Sequence, residues 1–425
     1  MPAFPILLVL SSSLALFVTH SVFAGCASNA TVIVDTALGK IRGLKKSVAN
    51  GNVYAFTGIP FAEPPVGELR YRKPKPRRTW NGSIFDATTL PPSCMQVSVF
   101  QPRALPWVPY GLHDQVLALK WIQQHIQYFG GDPHEVTLFG WSAGGTSIVF
   151  HMASPESRDL LKRAIIQSAD VYNGELQNQT VVFNSSRDFA LQLGCRDKSG
   201  KPSSSTSVSC MRQLNATWIS VVEETFVNAG KGTFKPIYGD SLLPVNPLKV
   251  RLPGDKDIII GHVANEGTRI MYSSFRDTFS QFLPPRPITK PEMIHYLGVL
   301  YSSLKLPQII TLIETYMNGI MPYEYAKLRQ ALADIVGDTY VNCASLDTAR
   351  MMANGTATHE DDKGVYFYVL DHVSACSDMQ PWFGTTHGDD IPFVFGRPLD
   401  PNGCATDVPF SKNLMKIWTD FAKRR

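Results

Sequence analysis

Ten consecutive residues, Val136-Thr137-Leu138-Phe139-Gly140-Trp141-Ser142-Ala143-Gly144-Gly145, carry the most informative pattern of the chain. Residues 136–139 are typical of a short buried strand, and the residues after them have the spacing G-x-S-x-G. Small residues on both sides of Ser142 allow a sharp turn from strand into helix, which exposes the serine hydroxyl. We therefore expect Ser142 to be a nucleophile. The backbone N–H of Ala143, at the start of the helix, is expected to stabilise negative charge on a carbonyl oxygen.

The sequence on either side of this turn alternates between helix and strand patterns. Upstream, apolar residues recur at gaps of three and four, as on one face of a helix that ends at the glycine pair 130–131: Val116, Leu119, Ile122, Ile126 and Phe129. Downstream, residues 258–263 and 365–369 form apolar runs typical of parallel strands covered on both faces. Without repeats or long linkers, the pattern predicts a single α/β domain with helices on both faces of a mostly parallel sheet.

A serine nucleophile needs a general base and a carboxylate that orients the base. In this architecture the chain order is serine, acid, histidine, each on a loop that follows a strand. Glu266 comes directly after the strand at 258–263, and His387 lies in the loop after the strand at 365–369. Taken alone, each is better explained by a structural role, Glu266 as a helix cap and His387 as a surface residue.

Composition excludes several classes of protein. The 425 residues are 44% hydrophobic, which is enough to bury a large core. The net charge is only +4, and no block of Lys and Arg is long enough to follow a phosphate backbone, so no nucleic-acid partner is expected. No stretch after the amino terminus is long enough to cross a bilayer.

The amino terminus predicts secretion. An apolar run at residues 6–17 precedes Ser21-Val22-Phe23-Ala24, so residues 1–24 are predicted to be a signal peptide cut after Ala24. The alternative, an amino-terminal membrane anchor, is disfavoured because the run is short. Six Asn-x-Ser/Thr sequons agree with passage through a glycosylating compartment: Asn29, Asn81, Asn178, Asn184, Asn215 and Asn354.

Seven cysteines in an oxidising compartment should mostly be paired. Cys195 and Cys210 enclose the polar loop 198–206, whose ends a disulfide would join. Cys376 and Cys404 are a weaker candidate pair. Three cysteines are left without a predicted partner: Cys26, Cys94 and Cys343.

Several segments together resemble the type-B carboxylesterase family, which includes the cholinesterases. The matching segments follow the family order: residues 56–71, 114–121, 129–133, 234–244, 265–267, 387–396 and 418–423. The resemblance implies one α/β-hydrolase domain over residues 25–425 and a triad of Ser142, Glu266 and His387. It further implies an ester substrate, with neither cofactor nor metal.

The chain departs from the family pattern in three places. Trp141 stands where the family usually has Glu beside the nucleophile, which weakens any expectation of a choline ester as substrate. Only sixteen residues separate Cys94 from Gly111, where family members have a second cysteine, strands beside the nucleophile strand, and a His-Gly-Gly turn that supplies two oxyanion-hole N–H donors. The chain ends at Arg425, where family members continue. The sheet is therefore expected to be incomplete, and Arg70 to lack its usual glutamate partner.

Three hypotheses remain open. The chain is a secreted serine carboxylic ester hydrolase that works through an acyl-enzyme, impaired by loss of the oxyanion segment. Alternatively, it is a catalytically silent cholinesterase-like binding or adhesion protein. The third alternative is a non-functional shortened isoform, because deleting inner strands exposes backbone groups that a short loop can hardly cover.

Overall fold

A computed structural model describes the chain at residues 4–10, 30–48, 51–80, 82–91, 111–171, 176–196, 204–228, 235–250, 252, 254–301, 303–356 and 363–423. The predicted cleavage site at Ala24, two sequons (Asn29 and Asn81) and two cysteines (Cys26 and Cys94) lie outside these ranges. The predictions made for them stay predictions.

The strands are β1 (Phe4–Leu10), β2 (Thr31–Thr36), β3 (Gly39–Val48), β4 (Gly51–Ala55), β5 (Phe85–Asp86), β6 (Gly131–Trp141), β7 (Arg163–Gln167), β8 (Gln177–Asn178), β9 (Ile237–Tyr238), β10 (Asp257–Val263) and β11 (Val365–Leu370). The helices are α1 (Gly111–His125), α2 (Ala143–Ala153), α3 (Gln179–Gln192), α4 (Ser204–Gln213), α5 (Ala216–Asn228), α6 (Glu266–Ser274), α7 (Lys290–Leu300), α8 (Leu306–Tyr316), α9 (Tyr325–Gly337), α10 (Cys343–Thr356), α11 (Asp390–Val394) and α12 (Val408–Lys423).

In the described part of the chain, the central sheet has five parallel strands in the order β1-β6-β7-β10-β11. Side chains alternate between its two faces. Leu138, Ile166 and Ile260 pack on one face with α1, α2 and α10. On the other face, Phe139 and Ile165 pack with α11 and α12. The predicted parallel sheet with helices on both faces is therefore confirmed.

The two outer strands of this sheet differ from expectation. The apolar run at 365–369 was expected to be covered on both faces, which is wrong: β11 is an edge strand among the described residues, and Tyr366, Phe367 and Val369 are exposed. At the opposite edge, β1 pairs in parallel with β6, the strand that leads to Ser142. Residues 4–10 thus lie where the resemblance places the missing strands, and they belong to the segment predicted to be a signal peptide.

Two smaller units flank the sheet. Strands β2, β3 and β4 form an antiparallel meander, with β5 beside β3. On the far side of α6, helices α7, α8 and α9 enclose a second apolar core around Phe279, Leu297 and Leu332. The close contact between α6 and α9 fixes the chain segment that begins with Glu266.

The structure contains both predicted disulfides, Cys195–Cys210 and Cys376–Cys404, and within the described residues Cys343 is a free thiol. Arg70 was expected to lack the glutamate partner usual in the family; among the described residues, its guanidinium instead donates to the backbone carbonyls of residues 211, 212 and 214 at the end of α4. Four described sequon asparagines are exposed: Asn178, Asn184, Asn215 and Asn354.

Replacing Cys195 by Ser should lower the free energy of unfolding. The disulfide closes a loop of 15 residues, and the chain-entropy argument assigns such a crosslink about 3 kcal/mol. Urea denaturation of the variant and the parent measures the difference. Cys343→Ser, which removes the free thiol, serves as the control and should change stability by less than about 0.5 kcal/mol. Equal losses for the two variants would contradict the prediction.

Candidate active site

The turn at Ser142 has the geometry expected of a nucleophile elbow. Ser142 has φ 55° and ψ −120°, a strained conformation between the end of β6 and the start of α2. Its N–H donates to the carbonyl of Gln167 at 2.8 Å, and its own carbonyl accepts from Thr146 N–H at 2.9 Å. A Cβ at Gly145 would lie 3.1 Å from the carbonyl oxygen of Gln167. Glycine at 145 therefore lets α2 begin close against β7.

Glu266 and His387 meet at the same edge of the sheet, although they are 121 residues apart. The Nδ1 atom of His387 is hydrogen-bonded to Oε2 of Glu266, whose side chain is fully buried. The other carboxylate oxygen of Glu266 accepts from the Ser168 hydroxyl at 2.6 Å and from Val263 N–H at 2.9 Å. With Nδ1 protonated toward Glu266, Nε2 of His387 is left as an acceptor.

Hydrogen bonds fix the loops that carry these two side chains. Asn265 N–H donates to the carbonyl of Thr385 at 2.9 Å, and Thr385 N–H donates back to the Asn265 side chain at 3.1 Å. The hydroxyl of Thr268 lies 2.8 Å from that of Thr386. The histidine loop is thereby attached to the start of α6 through residues that lie within two positions of Glu266 and His387 in the chain.

The pKa of Glu266 reflects opposing influences. Burial raises it, but the charge and hydrogen bond of His387 and the hydrogen bonds from Ser168 and Val263 outweigh burial, and the pKa lies below its ordinary value of 4.5. Glu266 is therefore an ionised carboxylate at neutral pH. Such a group can stabilise a neighbouring imidazolium.

A second buried carboxyl group, that of Asp390, interacts electrostatically with the pair. Asp390 accepts from the Gln167 side chain at 2.6 Å and from the Tyr368 hydroxyl at 3.2 Å, while its Oδ1 has no hydrogen-bond partner among the described residues. Burial, opposed by the Gln167 hydrogen bond and reinforced by the negative charge of Glu266, raises the pKa of Asp390 from 3.8 to about 6.

The structure brings the predicted Ser142, Glu266 and His387 to one edge of the sheet, with Ala143 at the first position of α2. No described residue is hydrogen-bonded to the Ser142 hydroxyl; catalytic contacts of this kind often tighten only when substrate binds. Within the described ranges, no cluster of His, Cys, Asp and Glu is suited to hold a metal ion. The roles of these residues stay predictions.

Sequence reasoning missed the Ser168 contact with Glu266. Ser168 has φ 51° and follows β7 directly, at the carboxyl edge of the strand next to the nucleophile strand. The polar pair Gln167-Ser168 after an apolar strand was the available signal, because the carboxyl ends of parallel strands share one edge of the sheet.

Replacing Asp390 by Asn should stabilise the protein above about pH 5. The folded-state pKa of Asp390 lies above the ordinary value of 3.8. The free energy of unfolding therefore falls as the pH rises from about 4 to about 6, and it stays at the lower value at higher pH. The expected gain at pH 7 is on the order of 2 kcal/mol, falling to near zero at pH 4. Denaturation at several pH values measures it, with the exposed Asp378→Asn as control. A gain independent of pH would contradict this origin.

Comparison with known proteins agrees with this geometry. The profile of the carboxylesterase family matches residues 30–105 and 109–425. The acetylcholinesterase of Electrophorus electricus is 27% identical over 520 aligned positions, covering 92% of this chain and 79% of the relative. The acetylcholinesterase of Bungarus fasciatus is 28% identical (92% and 78% covered), and that of Leptinotarsa decemlineata is 26% identical (87% and 74% covered).

The alignment with the Electrophorus protein is longer than the whole chain, so segments of that relative have no counterpart here. The family profile is also interrupted at residues 106–108, between Cys94 and Gly111. Apart from that short break, the match is continuous from residue 30 to residue 425. This protein therefore belongs to the carboxylesterase family and has the α/β-hydrolase fold.

Proposed function

We propose that the chain is a serine carboxylic ester hydrolase with Ser142, Glu266 and His387 as its triad. The observation that carries the proposal is the buried contact between Glu266 and Nδ1 of His387, beside the strained turn at Ser142. Membership of the carboxylesterase family supports an esterase activity. The acyl and alcohol parts of the ester are left open.

The chemistry follows from this arrangement. Ser142 Oγ attacks the ester carbonyl carbon while Nε2 of His387 takes its proton, and Glu266 stabilises the imidazolium that forms. The imidazolium then protonates the departing alkoxide, leaving an acyl-enzyme on Ser142. Water, deprotonated by His387, attacks the acyl-enzyme, releases the acid and restores the serine. Neither a metal nor an organic cofactor takes part in these steps.

The oxyanion hole is the incomplete part of this proposal. The first N–H groups of a helix have no partner within the helix, so Ala143 N–H at the start of α2 is available to a developing oxyanion. The family's other two donors belong to the segment missing between Cys94 and Gly111. The break in the family match at residues 106–108 supports this loss, and we propose that turnover is impaired.

We further propose that the protein is secreted. Two disulfides fit an oxidising compartment, and the four described sequon asparagines are exposed, as glycosylation requires. The amino-terminal apolar run supports a cleaved leader. In the described part of the chain, no helix has the length and apolar character needed to cross a membrane.

Replacing Ser142 by Ala should abolish covalent labelling by a fluorophosphonate probe. The probe phosphonylates a serine only where a neighbouring base activates the hydroxyl, and the strained strand-to-helix turn beside the Glu266–His387 pair is expected to provide that setting at Ser142. Labelling is read by intact-protein mass spectrometry. The matched control is Ser209→Ala, which removes an exposed serine of α4. Undiminished labelling of the Ser142 variant would refute the proposed nucleophile.

Inserting a relative's segment between Cys94 and Gly111 should raise ester hydrolysis. Removing a single oxyanion donor costs about a hundredfold to a thousandfold in turnover, and two are absent here. The measurement compares hydrolysis of p-nitrophenyl acetate by the two chains at equal concentrations of probe-reactive serine, with Ser142→Ala as blank. Comparable rates would mean that residues 102–110 already supply the donors. Absence of both labelling and hydrolysis from both chains would favour a silent binding protein.

A further inference from the structure

We infer that Trp141, the residue before the nucleophile, is a positioning residue that holds the imidazole of His387 in the orientation required to accept the proton of Ser142. This inference rests on the proposed function, because it assigns a second support to the same histidine.

The indole and imidazole rings are in direct contact. Their centroids are 4.8 Å apart and their planes are inclined by 39°. Trp141 is the last residue of β6. Its indole also contacts Gly388, the residue after His387: a Cβ at Gly388 would lie only 2.7 Å from Cζ2 of Trp141. Gly388 also has φ 94°, where a side chain would be strained. The indole therefore packs against both the imidazole and the backbone that carries it.

The imidazole of His387 needs a second contact, because a single hydrogen bond through Nδ1 does not fix the orientation of the ring. The contact from Nδ1 to Glu266 leaves the imidazole free to pivot about that bond, and such a pivot swings Nε2 toward or away from Ser142. A large aromatic face beside the imidazole restricts the pivot. Trp141 and Ser142 are adjacent in the chain. The indole therefore keeps a fixed position relative to Ser142, and its contact with the imidazole maintains the distance between Ser142 Oγ and Nε2 of His387.

The contact acts through the face of the ring. The indole Nε1 of Trp141 is buried and has no hydrogen-bond partner among the described residues. A polar tether through that atom is therefore not what holds the residue in place. During catalysis His387 becomes an imidazolium, and an aromatic face within about 6 Å attracts a cation. Phenylalanine can make the same kind of contact, whereas alanine cannot.

The chain contains a matched pair away from the site. In α1, Trp121 lies 5.1 Å from the ring of His125 with the planes inclined by 45°, and its Nε1 is also buried without a described partner. Trp121→Ala therefore removes a Trp–His contact of the same kind that does not touch Ser142 or His387. It controls for general loss of packing.

The first experiment measures the rate at which a fluorophosphonate probe labels Ser142 in the full chain. Trp141→Ala should lower the maximal labelling rate by about tenfold to a hundredfold, with little change in the probe concentration that gives half of that rate. Trp141→Phe and Trp121→Ala should each stay within about threefold of the parent. Should Trp141→Ala fail to fold, Trp141→Leu replaces it with the same expected loss, because leucine keeps apolar volume without a ring face.

The second experiment does not depend on catalysis. Proton NMR observes the hydrogen-bonded Nδ1 proton of His387, assigned by its disappearance in His387→Ala. Its exchange with water should become at least about tenfold faster in Trp141→Ala, and stay near the parent value in Trp141→Phe and Trp121→Ala. If the parent is not labelled at Ser142, the proposed function fails while this measurement still decides the inference. The inference is overturned if the Nδ1 proton of His387 exchanges in Trp141→Ala as slowly as in the parent. It is also overturned if the parent is labelled at Ser142 and Trp141→Ala is labelled at the same rate.

Discussion

The site depends on keeping the Glu266 carboxylate charged while it is fully buried. A buried charge is costly unless it is paired and hydrogen-bonded, and Glu266 has three partners: His387, the Ser168 hydroxyl and Val263 N–H. These partners come from the ends of β7 and β10 and from the loop after β11. The order of the parallel strands is therefore tied to the ionisation of this one group, because moving any of the three partners would leave a buried carboxylate without compensation.

This dependence explains which features could be predicted. The turn at Ser142 has a local signal, since a strand, a G-x-S-x-G spacing and a helix occupy a few consecutive residues, and the structure has that geometry. Glu266 and His387 were reachable only through chain order and family resemblance, because nothing local connects residues 121 positions apart. Ser168 had a weak signal, as a polar residue directly after an apolar strand, but nothing local links it to Glu266, which is 98 residues away in the chain. The expectation for β11 failed because an apolar run does not reveal whether other elements cover both faces of the strand, and Tyr366, Phe367 and Val369 are exposed.

Two expectations for residues 4–10, which lie beside β6 at the edge of the sheet, conflict with each other. Strand β1 satisfies the outer backbone groups of β6, yet residues 4–10 belong to the segment predicted to be cut off as a leader. Unpaired N–H and C=O groups along a strand that carries the nucleophile would weaken the elbow and invite pairing with other chains. If the leader is removed, another segment must cover that edge. The sixteen residues between Cys94 and Gly111 are few for this task and for supplying oxyanion donors.

The identity of residue 141 fits the charge balance around Glu266. Besides Glu266, the histidine loop contributes Asp389 and Asp390, and burial is the largest influence raising the pKa of both, with the charge of Glu266 acting in the same direction. The site therefore tolerates one fully ionised buried carboxylate and resists further negative charge. A glutamate at position 141, which is usual in the family, would add another such charge beside His387. Tryptophan adds none and instead presents an aromatic face to the same ring. Orientation of His387 by the face of Trp141 is thus compatible with the electrostatics that keep Glu266 ionised.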